Sequence, residues 1–263
     1  MRTRKIIEHI VSWLNAYIEK TPLKGFVIGV SGGIDSAVTS VLVAKTRRPV
    51  LVLEMPIHQE NSQVKRAQEH ICFLKKHFPN VQSKMVDLSP LLESFCSVVK
   101  TKKETSYQLG LTLANTRSRL RMSTLYYYAG LYKYLVSGTG NKIEDFGVGF
   151  FTKYGDGGVD ISPIADLTKT QVRALASELN IITSIQEALT TDGLWEDNRS
   201  DEEQLGASYE ELEWAMEMAQ QGKNKERFSE REKELIEKYQ ELHASVRHKI
   251  EPVPVCKIPV EFF

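Results

Sequence analysis

Apolar residues recur along the N-terminal half of the chain in short continuous runs, separated by longer stretches with helical spacing. Four buried strands are predicted by the runs Phe26–Val30, Val50–Met55, Val81–Val86 and Tyr134–Ser137. The intervening stretches predict helices over 3–20, 37–45, 60–78, 89–99 and 111–132. Because strands and helices alternate, we expect an α/β fold of Rossmann-like type: a doubly wound parallel sheet with helices on both faces.

The second half lacks strand-like runs and is dominated by glycines and helix-start signals. Residues 147–158 contain five glycines and predict a mobile loop. Helices are predicted over 168–179, 208–221 and 229–248, each of which begins with a capping-box pattern. We expect a single domain over residues 1–263, with a nucleotide-binding core at about 22–180 and a helical C-terminal part at about 181–263.

Composition and charge weigh against several classes of function. Lys plus Arg is 34 and Asp plus Glu is 34, so the chain lacks the basic excess that nucleic-acid-binding proteins use to neutralise phosphates. The three cysteines are far apart and fit neither a disulfide framework nor a zinc site, which favours a reducing compartment. No apolar stretch is long enough to cross a bilayer. We therefore expect a cytoplasmic protein with no nucleic-acid or membrane partner.

The strongest chemical signal follows the first predicted strand. It is the segment Gly29-Val30-Ser31-Gly32-Gly33-Ile34-Asp35-Ser36. Its backbone N–H groups and the following helix N-terminus favour binding of an anion such as phosphate. The Asp35 carboxylate is placed to hold a phosphate-bound magnesium ion, and Ser36 offers a further donor. The segment is neither a Walker A loop nor a dinucleotide fingerprint, because both spacings are absent.

This segment resembles the Ser-Gly-Gly-x-Asp-Ser pyrophosphate loop of the N-type ATP pyrophosphatases, and later segments resemble the NAD synthetases among them. The glycine-rich stretch 150–158 is nearly verbatim that of NAD synthetases. Residues 115–122 are similar to their Asn-x-x-Ala-Arg-x-Arg-Met helix, and residues 167–171 to their Leu-x-Lys-x-Gln helix start. The resemblance spans nearly the whole chain and implies an adenine nucleotide alpha hydrolase-like fold.

The resemblance also implies a set of site residues. The implied ATP contacts are Gly29, Val30, Ser31, Gly32, Gly33, Ile34, Asp35, Ser36, Thr139, Lys169 and Thr190. The implied magnesium ligands are Asp35 and Glu144, and the implied catalytic residues are Asp35 and Lys169. The implied contacts to deamido-NAD are Arg119, Lys153, Asp160, His248 and Lys249.

Three positions depart from the family pattern. Glu54-Met55 ends the second strand where the family has Arg-Leu, which removes the usual basic contact to ATP there. Thr190 lacks the preceding proline. The spacing from Glu144 to Lys153 is one residue longer than in the bacterial relatives.

The reaction implied by the resemblance is an ATP-dependent amidation. A Mg²⁺-dependent enzyme would join ammonia to deamido-NAD through an acyl-adenylate, giving NAD, AMP and pyrophosphate. The resemblance further implies a homodimer that uses free ammonia. Two alternatives stay open at this stage: another amidase or tRNA-modifying adenylase of the same superfamily, and a non-catalytic module that binds adenine nucleotides. Zero net charge and the absence of paired cysteines weigh against the tRNA-modifying version.

Overall fold

A four-stranded parallel sheet forms the centre of the fold. The computed structural model describes residues 1–99, 106–191, 200–221 and 228–263. The strands are β1 (Gly25–Gly29), β2 (Val50–Glu54), β3 (Val81–Met85) and β4 (Tyr134–Val136), in the spatial order β3-β2-β1-β4. The chain moves outward from β1 to β3 and then returns to the other side of β1 for β4. The topological switch point, where open α/β sheets bind ligands, therefore lies between β1 and β4.

Ten α-helices accompany the sheet in the part of the chain that is described. They are α1 (Thr3–Ile18), α2 (Ile34–Lys45), α3 (Asn61–His77), α4 (Ser89–Val98), α5 (Ser106–Tyr132), α6 (Lys169–Glu178), α7 (Thr183–Gln186), α8 (Asp201–Leu205), α9 (Tyr209–Gln221) and α10 (Glu230–Ile250). A π-helical turn covers Lys142–Val148, and a 3₁₀ turn covers Val260–Phe262.

Helices cover both faces of the sheet, which confirms the predicted doubly wound architecture. Successive strand residues point to opposite faces. On β1, Phe26 and Ile28 pack in a core with α1, α2 and α6, whereas Val27 packs with residues of α4 and α5. No helix among the described residues is long and apolar enough to cross a membrane.

The C-terminal helices form a hydrophobic core of their own. Residues of α9 and α10, including Leu212, Leu235 and the fully buried Tyr209, pack around Ile143 of the π-helical turn. The predicted capping boxes are present, as at the start of α10. The Ser229 hydroxyl accepts from the backbone N–H of Glu232, and the backbone N–H of Ser229 donates to the Glu232 carboxylate. This core fixes the π-helical turn next to the sheet edge where ligands are expected.

The structure differs from the predicted elements mainly where the local pattern is short. Helices α7 and α8 were not predicted, because four or five residues cannot show a helical period. Helix α5 begins earlier than predicted, at Ser106. The first residues of the predicted mobile loop, 147 and 148, belong instead to the π-helical turn. This turn ends at Gly149, which has φ +64°.

A buried histidine makes the stability of the fold depend on pH. His70 of α3 is fully buried, and its Nε2 lies 2.9 Å from the Ser40 hydroxyl of α2. Burial lowers the pKa of His70 to about 4. Between that value and about 6.5, the unfolded chain binds a proton that the folded chain does not, so protein stability falls as pH falls.

We expect the His70→Gln variant to lose less stability on acidification than the natural chain. Between pH 7.5 and pH 5, the His70 contribution alone falls by about 2 kcal/mol in the natural chain, and glutamine has no such titration. Urea unfolding of both proteins at the two pH values measures the difference. If both proteins lost the same stability between pH 7.5 and pH 5, the lowered pKa of His70 would not be the cause.

Candidate active site

A cavity of about 900 Å³ opens at the carboxyl edge of the sheet. This is the size expected of a pocket for a small-molecule ligand. Its walls come from the loops after β1, β2 and β4, from α5, and from the C-terminal part of α10. The switch point between β1 and β4 thus coincides with the cavity, as parallel-sheet topology predicts.

The loop after β1 forms the floor of the cavity as a ready-made anion site. Gly32 has φ +86°, and a Cβ at this position would lie 2.6 Å from the Gln63 carbonyl oxygen, so only glycine fits. The Ser31 hydroxyl accepts from the Gly33 N–H at 3.2 Å, and the Ser36 hydroxyl donates to the Gly33 carbonyl at 2.9 Å. These bonds hold the loop amides next to the N-terminus of α2, where the helix dipole favours negative charge.

Lys169 lies between the two carboxylates that the sequence proposes as magnesium ligands. Its ammonium is 2.5 Å from Asp35 and 2.9 Å from Glu144, although the three residues come from three different segments. The Asn141 side chain donates to Asp35 at 3.2 Å and to Glu144 at 2.8 Å. Lys169 is only 2% exposed, so the pairing is largely shielded from water. The structure thus brings together a cation, two carboxylates and the phosphate loop.

The charges in this cluster depend on one another. Burial raises the pKa of Asp35, while the Lys169 ammonium opposes that rise. For Lys169, burial favours the neutral amine, but attraction to Asp35 and Glu144 outweighs it and raises the pKa above its usual value. Lys169 is therefore a permanent cation at neutral pH. Its positive charge is available to an anion that enters from the cavity.

Glu144 is held in place from the C-terminal helices. The Tyr209 hydroxyl donates to Glu144 and lies 3.2 Å from an oxygen of Asp201. Burial raises the pKa of Tyr209, so the phenol remains a neutral hydrogen-bond donor at all physiological pH values. Asn141 also binds the Glu144 backbone, since its side-chain oxygen accepts from the Glu144 N–H at 3.0 Å. Both the side chain and the backbone of Glu144 are therefore fixed.

A guanidinium lies at the end of β2, although the sequence places Glu54 there in the position of a basic residue. Arg121 of α5 donates to the Met55 carbonyl at 3.0 Å and to the Gln59 side chain at 3.3 Å. Burial lowers the pKa of Arg121 to about 10, which still leaves it positive at neutral pH. Arg66 of α3 also lies close by, with its Nε 3.5 Å from the Gly32 carbonyl.

The glycine-rich segment 150–158 is tied to α5 and α10 by hydrogen bonds. Lys249 donates to the carbonyls of Gly149 and Phe151, each at 2.9 Å. Lys153 donates to the His248 carbonyl, and Arg119 donates to the Lys153 carbonyl at 3.3 Å. Four of the five residues predicted to contact deamido-NAD therefore lie together at the mouth of the cavity.

The other predicted residues divide into two groups. Thr139 and Thr190 line the cavity together with the phosphate loop. Asp160 does not line it: one carboxylate oxygen accepts from the Tyr126 hydroxyl at 3.0 Å, and the other accepts from the Val136 N–H at 2.8 Å. Asp160 is exposed beside the outer surface of α5. Within one chain, it is thus separate from the other predicted deamido-NAD contacts.

Sequence reasoning assigned no role to Arg66, Arg121, Asn141 and Tyr209, which complete the site. Arg121 lies inside the segment 115–122 that carries the family resemblance, and Asn141 lies between the proposed contacts Thr139 and Glu144, so their positions were a usable signal. Arg66 and Tyr209 lie on ordinary amphipathic helices, where a basic or aromatic residue is most often structural. No local pattern distinguishes these two from their neighbours.

The chain is similar to known proteins along nearly its whole length. Residues 6–253 match the profile described as NAD synthase. The NH(3)-dependent NAD(+) synthetase of Mesoplasma florum is 38% identical over 217 residues, which are 81% of this chain and 84% of that protein. The corresponding protein of Saccharolobus solfataricus is 40% identical over 210 residues, 79% of this chain and 71% of its own length.

Solved structures agree with these sequence matches. The NMN synthetase from Francisella tularensis superposes with a TM-score of 0.85 and 30% identity, covering 98% of this chain and 100% of that structure. The NH3-dependent NAD synthetase from Campylobacter jejuni, solved with a nitrate ion, has a TM-score of 0.78 and 25% identity. The match covers 98% of this chain and 100% of that structure.

Proposed function

The chain belongs to the NAD synthase family, and from this membership and the charged cavity we infer that it is an ammonia-dependent NAD synthetase. Such an enzyme is a ligase that forms a carbon–nitrogen bond. It joins ammonia to the nicotinate carboxylate of deamido-NAD and converts ATP to AMP and pyrophosphate. The observation that carries the inference is the Lys169 ammonium beside Asp35, Glu144 and the phosphate loop at the bottom of the cavity.

The mechanism needs no nucleophilic side chain. A carboxylate does not react with ammonia until its oxygen becomes a better leaving group, which adenylation provides. The nicotinate carboxylate attacks the α-phosphorus of ATP, and pyrophosphate leaves. Ammonia then attacks the acyl carbon, and AMP leaves with the oxygen. Catalysis consists of positioning the two substrates and stabilising the charge on the departing pyrophosphate.

The phosphate loop and Lys169 hold the leaving group in this proposal. The Ser31–Ser36 loop and the N-terminal end of the α2 dipole adjoin the proposed position of the pyrophosphate, and the Lys169 ammonium adds a full positive charge. Arg66 lies on the same side of the cavity as the loop and adds a second cation. Thr139 and Thr190 are the proposed further contacts to ATP.

The donor set of Asp35 and Glu144 fits magnesium. Mg²⁺ prefers oxygen ligands and is usually held by one or two carboxylates together with substrate phosphates. Both carboxylates share the Asn141 amide and converge on one point, now taken by the Lys169 ammonium. The described residues contain no group of three or more His, Cys, Asp and Glu side chains that could hold a metal ion. Asp35 and Glu144 would therefore hold magnesium together with the phosphates of ATP. When bound, the ion neutralises phosphate charge.

The residues at the cavity mouth are the proposed contacts to the pyridine nucleotide. Arg119, His248 and Lys249 lie against segment 150–158, and Lys153 belongs to it. We propose this segment as the cover that keeps water from the acyl-adenylate. Burial lowers the pKa of Lys249. A bound phosphate or carboxylate at this point would stabilise its charged form.

One incubation tests the reaction directly. Purified protein is mixed with ATP, magnesium, ammonium and deamido-NAD, and the formation of NAD, AMP and pyrophosphate is followed together. We expect equal amounts of the three products. Omission of ammonium is expected to stop NAD formation. Absence of pyrophosphate with every acid tested would contradict the enzymatic function and favour a nucleotide-binding module.

A second candidate substrate is nicotinate mononucleotide. The similarity to the Francisella tularensis NMN synthetase, at a TM-score of 0.85 over nearly the full length of both chains, favours testing it. The chemistry at the nicotinate carboxylate is the same, and only the adenylyl half of the dinucleotide is missing. A comparison of kcat/KM for the two acids decides which one the cavity mouth accepts.

We propose that the protein forms a homodimer through α4 and α5. Large apolar side chains are exposed on these helices, and such patches mark interaction surfaces. They are Leu91, Phe95 and Val98 on α4, and Tyr107, Leu111, Tyr126, Tyr127, Leu131 and Tyr132 on α5. Asp160, the predicted deamido-NAD contact outside the cavity, binds Tyr126 on the same surface. A second copy on this surface would bring Asp160 close to a dinucleotide bound near the interface.

We expect the Tyr127→Glu variant to be monomeric. Tyr127 is 66% exposed in the single chain, and a carboxylate there would be buried without a partner in the dimer. Light scattering coupled to gel filtration gives the mass of both proteins. The control is Trp13→Glu on α1, which changes another exposed aromatic residue but leaves α4 and α5 intact. A dimeric Tyr127→Glu variant would contradict the proposed surface.

The remaining expectations from the sequence stay proposals. We propose a cytoplasmic location, since the substrates ATP and ammonia are available there. We also propose one functional unit over 1–263 with its nucleotide-binding core at about 22–180, because the cavity takes residues both from that core and from α10.

A further inference from the structure

Glu54 is a buried carboxylate at the edge of the nucleotide cavity that the reaction described above does not use. It ends β2, is only 7% exposed and lines the cavity. One of its oxygens accepts from the Gln68 side chain at 3.1 Å. No other hydrogen bond or ion pair of the Glu54 carboxylate is found among the described residues. A buried carboxylate normally binds several donors, so this one has spare acceptor capacity toward the cavity.

The register of the sheet places Glu54 next to the phosphate loop. Gly29 of β1 pairs with Leu53 of β2, and the Val30 N–H donates to the Leu53 carbonyl at 2.9 Å. Glu54 therefore lies opposite Val30 on the neighbouring strand. Neighbouring strands are roughly 5 Å apart, so the backbone of Glu54 is that far from the start of the phosphate loop. Whatever part of ATP adjoins the phosphates lies within reach of this side chain.

The chemistry of ATP decides which part that is. The phosphates offer only acceptors and negative charge, so a carboxylate repels them. The ribose follows the α-phosphate and carries two hydroxyl donors on neighbouring carbons, which suit the two oxygens of a carboxylate. The exocyclic amine of adenine is a donor too, but it lies at the far end of the nucleoside. Arg121 and Arg66 lie in the same part of the cavity and offset part of the negative charge of the phosphates and of Glu54.

We propose that Glu54 binds the ribose hydroxyls of ATP and makes the enzyme select ribonucleotides over deoxyribonucleotides. Gln68 holds one oxygen and orients the carboxylate, and the free acceptor positions face the sugar. The basic residue that the family has at this position cannot accept such hydrogen bonds. The assignment rests on the proposed function only in taking ATP as the nucleotide in the cavity.

The test compares ATP with 2′-deoxy-ATP and 3′-deoxy-ATP in the natural chain and in Glu54→Gln, which keeps the shape but removes the charge. Hydrogen bonds to a charged group are strong enough to predict a roughly ten- to hundredfold weaker use of one or both deoxynucleotides by the natural chain. In Glu54→Gln, we expect this ratio to fall to about threefold or less. The control is Glu217→Gln, an exposed position on α9 away from the cavity, which should keep the natural ratio.

Calorimetric binding of the same three nucleotides separates this proposal from the proposed reaction, because binding needs no turnover. Loss of the discrimination in Glu54→Gln supports the proposal even if no NAD is formed. Equal binding of ATP and both deoxynucleotides by the natural chain would overturn it. Two further results would overturn it. The first is a Glu54→Gln variant that keeps the full preference for ATP over the deoxynucleotides. The second is a variant that loses only its preference for ATP over a fourth nucleotide, purine riboside triphosphate, which lacks the adenine amine.

Discussion

Asp35→Ala is expected to reduce pyrophosphate release by roughly a thousandfold or more while the protein still folds. Asp35 pairs with Lys169 at 2.5 Å and faces the phosphate loop. Without it, the cavity loses one proposed ligand for the metal ion and the group that aims the lysine at the leaving pyrophosphate. The fold survives because Lys169 keeps Glu144 as a partner at 2.9 Å, so its charge is not left buried and unpaired.

The measurement is single-turnover pyrophosphate release at saturating ATP and deamido-NAD, with circular dichroism to verify folding. Asp166→Ala provides a matched control, because Asp166 is an almost fully exposed carboxylate that also pairs with a lysine, Lys142. Its loss should leave the rate within about twofold, since surface ion pairs contribute little. Near-normal turnover by Asp35→Ala would refute the role of this carboxylate at the phosphates.

Lys169→Met is expected to lower both activity and stability, and to make stability depend on pH. The substitution leaves Asp35 and Glu144 close together and mostly buried, with no cation between them. Removing one partner from a buried ionic cluster typically costs about 3–5 kcal/mol. Burial and the Glu144 charge already raise the pKa of Asp35, and loss of the ammonium removes the main opposing effect.

The sign of the pH effect follows from that raised pKa. A carboxyl group whose pKa is higher in the folded protein binds more protons there than in the unfolded chain, so the variant gains stability as pH falls. We therefore expect Lys169→Met to lose less stability, relative to the natural chain, at pH 5.5 than at pH 8 in urea unfolding. Added magnesium should also restore part of the loss at pH 8, because the two carboxylates would share the ion.

Lys142→Met is the control for this experiment. Lys142 pairs with the exposed Asp166 at 2.9 Å, so its removal should change stability by less than about 1 kcal/mol at either pH. A loss in Lys169→Met that is the same at both pH values and indifferent to magnesium would show that the lysine acts only through packing. In that case, the proposed shared role of Asp35 and Glu144 would be wrong.

Together, the two variants separate charge from position. Asp35→Ala keeps a cation with one carboxylate, whereas Lys169→Met keeps two carboxylates without a cation. We expect Asp35→Ala to lower mainly the turnover rate, and Lys169→Met to lower both the turnover rate and the stability of the fold. A reversed order of stabilities would contradict the view that the ammonium offsets the repulsion between Asp35 and Glu144.

Features that depend on local spacing could be predicted from the amino-acid sequence alone. Continuous apolar runs such as Val50–Met55 identify strands, because a strand buried on both faces has no polar side. Ser31-Gly32-Gly33 before a helix identifies an anion site, because backbone amides and the helix dipole act within a few residues. Alternation of strand and helix then gives a parallel sheet and predicts a ligand at its carboxyl edge. The strands and the parallel sheet were confirmed in the fold, and a cavity lies at that edge.

Only the tertiary structure decided which side chains meet at that edge. Lys169 reaches Asp35 across 134 positions of sequence, and Arg121 reaches the end of β2 across 66 positions. Tyr209 comes from a separate hydrophobic core to fix Glu144, whereas Asp160 turns outward to Tyr126. Periodicity tells which face of a helix is buried, but the partners of that face depend on strand order and on how helices pack across the sheet. Those are properties of the whole chain, and no local pattern contains them.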